Sequence, residues 1–338
     1  MKILVTGGAG FIGSNFIRYI LFKHSDYQII NLDKLTYAGN LDNLSDVENP
    51  PHYKFVKGDI CDQDLIDSLV GDRVDAIINF AAETHVDRSL YDPKVFIETN
   101  VFGTQVLAES ALKYKIKKFV QISTDEVYGS LSKEGKFTEE SPLLPNSPYS
   151  ASKAGADLLI RSYHKSFGLP AIITRCCNNY GPYQFPEKLI PLFISNALTD
   201  QPLPLYGDGL YVRDWIYVED HCSAVDLILH QGKIGEIYNI SSNVEMTNLE
   251  ITHLILKNLK KPESLIKYVK DRPAHDRRYA LDSSKIRKEL GWKASFSFEQ
   301  GMKRTIDWYI KNKSWWEKVK SGEYLKYYEK HYLQRDKT

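Results

Sequence analysis

Apolar residues in this chain alternate between short runs and helical stripes. Lys2 to Thr6 forms an apolar run, followed by glycines and then a stripe of Phe16, Ile17, Ile20 and Leu21 at helical spacing. Gln28 to Leu32, Tyr53 to Val56, Ala76 to Phe80, Lys118 to Ile122 and Leu169 to Thr174 read as further strands. Long helices are predicted over Lys94 to Lys113 and Ser147 to Phe167. Strands that alternate with helices imply right-handed crossovers and a parallel sheet, so the fold class is α/β with a doubly wound parallel sheet. Val212 to Tyr217 is expected to be a return strand, Glu219-Asp220-His221 to open a helix running to His230, and Ile237 to Ile240 to rejoin the first sheet.

Two domains are expected: residues 1–180 with 211–242, and a smaller C-terminal α+β substrate domain of 181–210 with 243–338. Pro182 to Leu210 is rich in Pro, Tyr and Phe, with Pro186 to Pro191 opening a short helix, and is expected to form a lid over a flat polar ligand. The tail from Ser314-Trp315-Trp316 to Thr338 has the spacing of an amphipathic surface helix.

Candidate chemistry sits at the predicted strand ends. Gly8, Gly10 and Gly13 fit G-x-G-x-x-G between the first strand and first helix, where backbone N–H groups and a helix N-terminus can approach a pyrophosphate. That context makes the sheet Rossmann-type. Asp33 ends the second strand about 20 residues later, where a carboxylate accepts from an adenosine ribose and repels a 2′-phosphate, so NAD is the expected cofactor. Lys34 beside it partly offsets that repulsion. Asp59 and Ile60 are expected at the adenine, and Ala81 and Ala82 along the cofactor. The loop Glu83 to Ser89 follows, with His85 read as an orienting group rather than an acid or base.

Ser123-Thr124-Asp125-Glu126-Val127-Tyr128, at the end of the fifth strand, supplies a hydroxyl and two adjacent carboxylates where open α/β sheets bind ligands. Neighbours on an extended strand point to opposite faces, which would leave one carboxylate structural. Tyr149 and Lys153 share a helix face, where an ammonium can lower a phenol's pKa for proton abstraction from a sugar hydroxyl. The same spacing occurs at Tyr19/Lys23, Tyr53/Lys57, Tyr114/Lys118 and Tyr309/Lys313. The fourth pair along the chain is distinguished by its place after the fifth strand and by the small residues Ala151, Ala154, Gly155 and Ala156 beside it.

Composition narrows the partners. The 338 residues carry 44 Lys+Arg against 43 Asp+Glu, which offers no electrostatic case for nucleic acid or an anionic membrane. The basic cluster Arg272, His275, Arg277 and Arg278 has no surrounding basic stripe, so a diphosphate is its expected ligand. No apolar run reaches signal-peptide or bilayer length, and a cytoplasmic location is expected. Cys61, Cys176, Cys177 and Cys222 show no zinc spacing and are expected to be reduced, mostly buried thiols, and no metal is expected.

Thr6 to Gly13, the Tyr149-x-x-x-Lys153 helix and the strand order resemble the extended short-chain dehydrogenase/reductases that act on nucleotide sugars, over nearly the whole chain. Within that superfamily Thr124-Asp125-Glu126 is similar to the dTDP-glucose 4,6-dehydratases. Agreeing segments are Ala81 to Ser89, Thr174 to Pro182, Tyr206 to Gly209 with Arg213-Asp214-Trp215, and Asp271 to Tyr279. Thr84 and Cys177 stand where that family commonly has Ser.

The resemblance implies that Tyr149 and Thr124 act at the carbon 4 oxygen with Lys153 as support, that Glu126 is the base at carbon 5, and that Asp125 is the acid at the carbon 6 hydroxyl. It implies cofactor contacts from Gly7, Gly10, Phe11, Ile12, Gly13, Asp33, Lys34, Leu35, Thr36, Asp59, Ile60, Ala81, Ala82, Thr99, Tyr149, Lys153 and Asn179. For the substrate, dTDP-glucose, it implies Thr84, His85, Arg88, Thr124, Asn178, Glu187, Lys188, Leu189, Ile190, Pro191, Leu203, Pro204, Leu205, Arg213, Asn248, Arg272, His275 and Tyr279. A homodimer through the two long helices is also implied. The other readings are a dehydratase of another nucleotide sugar, a nucleotide-sugar 4-epimerase, and a non-catalytic NAD-sensing protein.

Overall fold

The computed structural model describes residues 1–47, 52–273 and 275–321. Its main sheet has seven parallel strands: β1 (Lys2–Thr6), β2 (Gln28–Asp33), β3 (Tyr53–Lys57), β4 (Ala76–Asn79), β5 (Lys118–Thr124), β6 (Ala171–Cys176) and, after three strands of the smaller sheets, β10 (Ile237–Ile240). Their order is β3-β2-β1-β4-β5-β6-β10. The chain reverses its direction of travel between β1 and β4, and the carboxyl ends of these strands open the crevice in which such sheets bind ligands.

Alternation along each strand makes two cores. Ile3, Val5, Ile78, Val120 and Ile172 face helices Phe11–Lys23 and Val218–Gln231. Leu4, Ile30, Ile77, Phe119 and Ile173 face the other way, toward Gln63–Val70 and Gly103–Lys113. Covering both faces explains why these strands read as nearly continuous apolar runs.

A third core lies outside this sheet. Strand β7 (Asn178–Tyr180) pairs with β9 (Val212–Tyr217), which also pairs with β11 (Glu245–Thr247), while β8 (Leu203–Tyr206) pairs with β12 (Ile266–Val269). Phe193, Leu203, Leu205, Trp215, Ile255, Tyr309 and Trp316 fill the space between them. The stretch expected to be a lid is part of this core. Helix Leu189–Leu198 is mainly apolar, and eight of its ten residues are buried. The start of the tail is docked as well: in helix Lys313–Val319, Trp316 is buried and Trp315 donates to Asn43 at 3.0 Å. The rest of the expected tail helix, residues 322–338, lies outside the described residues.

Two local departures from the sequence reading position the site. The predicted helix Lys94 to Lys113 contains a π-helical turn, Ile97–Phe102, between Pro93–Phe96 and Gly103–Lys113. The wide turn accommodates buried Asn100, which pairs with the Glu83 backbone at 2.9 and 3.0 Å and donates to Ser152 at 2.8 Å. Second, β5 ends at Thr124, and Asp125–Tyr128 forms a 3-10 turn. Opposite-face alternation therefore does not apply to Asp125 and Glu126.

Beneath the site, Arg175 donates to Asp157 at 2.8 Å and to the Tyr128 hydroxyl at 2.9 Å, and that hydroxyl donates to Asn239 at 2.8 Å. This buried chain joins helix Pro148–Phe167 to β6, the 3-10 turn and β10. Asp157→Ala would leave the guanidinium buried without its carboxylate. The expected loss of stability is about 3–5 kcal/mol, read by urea or thermal unfolding, and a loss below about 1 kcal/mol would refute the dependence.

Candidate active site

The glycine turn after β1 is shaped for close approach. Gly7 has φ +69°, and a Cβ there would stand 2.6 Å from the Ala81 nitrogen, while one at Gly13 would come 2.8 Å from the Gly8 Cα. Only glycine keeps this turn packed against the end of β4 while presenting its N–H groups to a phosphate. Asp33, mostly buried at the end of β2, accepts from the Ala9 and Leu35 N–H groups at 2.9 and 2.8 Å. Burial raises its pKa, and those two bonds oppose the rise. Lys34 is paired with Asp59 at 2.6 Å, which directs its charge to that carboxylate. These residues fit NAD: a glycine cradle for the pyrophosphate and an anchored carboxylate for a ribose with free hydroxyls.

One cleft runs from that turn to the end of β5. Its lining includes Gly7, Gly10, Phe11, Ile12, Gly13, Asp33, Lys34, Thr36, Asp59, Ile60, Ala81, Ala82, Thr84, Thr99, Thr124, Asp125, Glu126, Tyr149, Lys153, Asn178, Asn179, Glu187 and Lys188. Leu35 is outside the lining and supplies its N–H to Asp33 from a left-handed conformation, φ 57°.

At the inner end, the Thr124 hydroxyl donates to Asp125 at 3.1 Å and accepts from the Glu126 N–H at 3.2 Å. Asp125 is 2% exposed, and its Oδ2 has no hydrogen-bond partner among the described residues. Burial raises its pKa well above the carboxylate range, and the Glu126 charge adds to the rise. Burial raises Glu126 too, but the cations of Arg272, Arg213 and Lys188 pull it back. The environment thus holds a proton more firmly on Asp125 than on Glu126.

Tyr149 and Lys153 behave differently from a simple i,i+4 pair. The Lys153 ammonium donates to the Ile122 carbonyl at 2.7 Å, and burial lowers its pKa to about 8 against the opposing charge of Asp157. Burial and the Glu126 charge raise the Tyr149 phenol, while a hydrogen bond with Thr124 lowers it. The expected lowering by Lys153 is therefore not what sets the phenol in the absence of ligand. Lys153 is held against the end of β5, and burial governs Tyr149.

The sugar side is a buried charge network. Lys188 donates to the Thr84 carbonyl at 3.1 Å, and Arg88 donates to Glu187 at 3.3 Å. Arg88 also lies over Tyr37, 3.8 Å from the ring centre. His85 is buried and accepts from the Arg88 N–H at 3.4 Å, capping helix Val86–Tyr91. Burial and then Lys188 push its pKa well down, so it is neutral and oriented.

Further out, Arg213 lies over Tyr279, 4.4 Å from the ring centre, and donates to the Asp276 carbonyl at 3.0 Å. Arg272 pairs with Asp87 at 3.7 Å. His275 stacks on Tyr211 with 3.7 Å between centres. Burial and the two arginines lower its pKa to about 3. The expected basic cluster divides here. Arg277 is spent on Asp208 at 2.9 Å and Arg278 on Glu245 at 2.7 Å, while Arg213 joins Arg272 near Glu126. Asn248 is buried at the start of its helix. Leu189, Ile190, Pro191, Leu203, Pro204 and Leu205 lie outside the cleft lining, on the helix and strand of the third core.

Sequence reasoning passed over several groups in and beside the cleft lining. Tyr37 is brought to Arg88 and Glu187 by a loop without a periodic signal. Cys176 and Cys177 are buried as expected, yet they line the cleft. Asn179 donates to the Cys176 sulfur at 3.2 Å and pairs with His221 at 2.9 Å. His221 comes from helix Val218–Gln231, a contact that only the tertiary fold creates.

Comparison with known proteins agrees with this geometry. The family model described as GDP-mannose 4,6 dehydratase matches residues 4–305. A low-salt glycan biosynthesis protein, Agl12, of Haloferax volcanii is 56% identical over 92% of this chain and 99% of its own length. The dTDP-glucose 4,6-dehydratase of Streptomyces niveus is 51% identical over 96% of this chain and 97% of its own. The crystal structure of DesIV, a dTDP-glucose 4,6-dehydratase from Streptomyces venezuelae with NAD and TYD bound, superposes with a TM-score of 0.92 at 52% identity. That match covers 94% of this chain and 100% of the other. With an NAD-shaped glycine turn, a buried carboxyl pair and this likeness over almost its full length, the chain belongs to the dTDP-glucose 4,6-dehydratase family.

Proposed function

We propose that this protein converts dTDP-glucose to dTDP-4-keto-6-deoxy-glucose and water. The observation that carries the reading is the unequal environment of the two adjacent carboxyls: Asp125 sits beside a charged neighbour, Glu126 under three cations. An elimination needs one carboxyl protonated and one ionised at the same time. A 4-epimerase has no use for such a pair. The family model is named for a GDP-sugar, whereas several relatives at about half identity bear the dTDP-glucose name, and the reading follows the latter.

In this reading Gly7 to Gly13, Asp33, Asp59 and Ile60, Ala81 and Ala82, Thr99 and Asn179 hold NAD. NAD held there would supply the hydride acceptor and donor that an oxidation at carbon 4 and a reduction at carbon 6 require. Tyr149 removes the proton from the carbon 4 hydroxyl, with Thr124 hydrogen-bonded to the same oxygen. The new ketone acidifies the carbon 5 proton, which passes to Glu126. Asp125 delivers its proton to the carbon 6 hydroxyl, water leaves, and Glu126 returns its proton to carbon 5 when carbon 6 is reduced. Arg213, Arg272 and His275 face the diphosphate, and neutral His275 adds hydrogen bonding without charge.

The division of labour follows the chain: residues 1–180 with 211–242 bind the cofactor, and 181–210 with 243–338 bind the nucleotide sugar, joined by Arg213 on β9. We further propose a cytoplasmic homodimer. No helix among the described residues is long and apolar enough to cross a membrane. Exposed Ile97, Phe102 and Leu158 give the two helical segments an apolar outer surface suited to a second copy.

Three measurements test the reading. Glu126→Gln is expected to oxidise carbon 4, seen as reduced-nicotinamide absorbance, while dehydration measured by mass spectrometry falls about 10²–10⁴-fold. Undiminished water loss would remove Glu126 from the base role. Asp33→Ala should weaken NAD binding roughly tenfold to a hundredfold, read by titration of cofactor-free protein. Finally, the acid limb of the kcat profile should lie above the ordinary glutamate range, because burial raises the base. Lys188→Met removes a cation that favours the carboxylate, so its limb should move to higher pH; a shift to lower pH would contradict the assignment.

A further inference from the structure

The first Rossmann helix, Phe11–Lys23, starts at the cofactor turn and ends about 20 Å away, at its thirteen-residue length. Its C-terminal end meets the last turns of helix Val218–Gln231, and the two pack along the same face of the sheet. Side chains from both converge on one carboxylate. Asp226 is almost fully buried, and its Oδ1 lies 3.0 Å from His24 Nε2 and 3.1 Å from His230 Nδ1. Lys23 holds the other oxygen at 2.8 Å. The Tyr27 hydroxyl lies 2.7 Å from His230 Nε2, and the rings of His24, Tyr27 and His230 stack on one another.

We propose that His24, Asp226 and His230 form a binding site for a divalent transition-metal ion of the zinc class, separate from the active site. The three ligand atoms lie within 4.8 Å of one another. Neighbouring ligands of a tetrahedral ion with bonds of about 2.0–2.1 Å stand about 3.3 Å apart, close to the two His–Asp separations. Two imidazoles and one carboxylate select zinc, cobalt or nickel over magnesium or calcium, which prefer oxygen ligands.

Three further features suit an ion there. Asp226 and His230 are one helical turn apart, so a single helix presents both. The C-terminal ends of two helices meet at the cluster, and both dipoles favour positive charge. Tyr27 is already seated on the far nitrogen of His230, where an outer partner fixes the orientation of a ligating ring. In the protein as it stands, His24 Nε2 hydrogen-bonds with the Asp226 carboxylate at 3.0 Å, and His230 Nδ1 lies 2.7 Å from the Asp226 backbone carbonyl. The ion would take His24 Nε2 and His230 Nδ1 as ligands in place of these hydrogen bonds. Half-buried His24 and exposed His230 leave a path to solvent. The sequence hides this cluster because His24 and Asp226 are 202 residues apart.

The expected consequence is a clamp between the first helix and the helix that precedes β10, with no part in the reaction. The test uses the NAD-loaded protein after chelator treatment, titrated with Zn²⁺ and separately with Co²⁺. One ion should bind per chain, Co²⁺ should give the visible absorption of a tetrahedral nitrogen-oxygen site, and Tm should rise by about 4 °C at an ion concentration a hundred times the dissociation constant. His24→Gln and His230→Gln keep a hydrogen-bonding side chain and should abolish the shift and the spectrum while leaving turnover unchanged. Absence of binding, or binding retained in both variants, would overturn the proposal and leave a hydrogen-bonded cluster only.

Discussion

Two carboxyls side by side in a dry turn cannot both be ionised at low cost, and the rest of the site is arranged around that constraint. Asp125 accepts a single hydrogen bond, from Thr124, and its other oxygen has no partner among the described residues; that dry, unpartnered oxygen beside a second carboxyl favours the neutral acid. Glu126, one residue on, is within the influence of two arginines and a lysine supplied by the third core. The sheet domain brings the pair, and the other core brings the charges that make its members unequal. Neither half alone would separate an acid from a base.

Holding that turn in place falls to interactions that never touch a ligand. The Asp157–Arg175 pair is buried and continues through Tyr128, itself the last residue of the 3-10 turn, to Asn239 on β10. Asn100 does similar work from the other side, fixing the Glu83 backbone and Ser152 in one set of bonds. The loop after β4 and the helix carrying Tyr149 are thereby tied to a common point. A site that must align a phenol, a hydroxyl and two carboxyls within hydrogen-bonding tolerance depends on this support.

Much of this was legible in the sequence because it is written in local patterns. Apolar runs gave the parallel strands, glycines in strand-turn-helix context gave the cofactor turn, and Thr124-Asp125-Glu126 stood at a strand end. What was not legible was set by tertiary packing. The stretch around Leu192 and Phe193 reads as a lid from its Pro, Tyr and Phe content, but the third core buries it. Alternation along β5 fails at Asp125 because the backbone turns there, and no residue signals the turn ahead of Gly129, with φ +85°. The ammonium of Lys153 is drawn to a carbonyl of β5, a group no side-chain spacing can reveal. His221 reaches the cleft, and Tyr37 reaches Arg88 beside it, from segments whose local sequence has no marker for it.

The π-helical turn at Ile97–Phe102 has an implication for how this chain can tolerate change in length. A helix counts its faces at about 100° per residue, and the wide turn inserts an offset into that count midway. Gly103 to Lys113 pack on the sheet in one phase, and Pro93 to Phe96 meet the Tyr149 helix in another. Removing a single residue between them would restore an unbroken helix, yet rotate one half out of phase with its neighbours. Local regularity and global fit are in opposition at this point, so the irregularity belongs to the fold's design rather than to its noise.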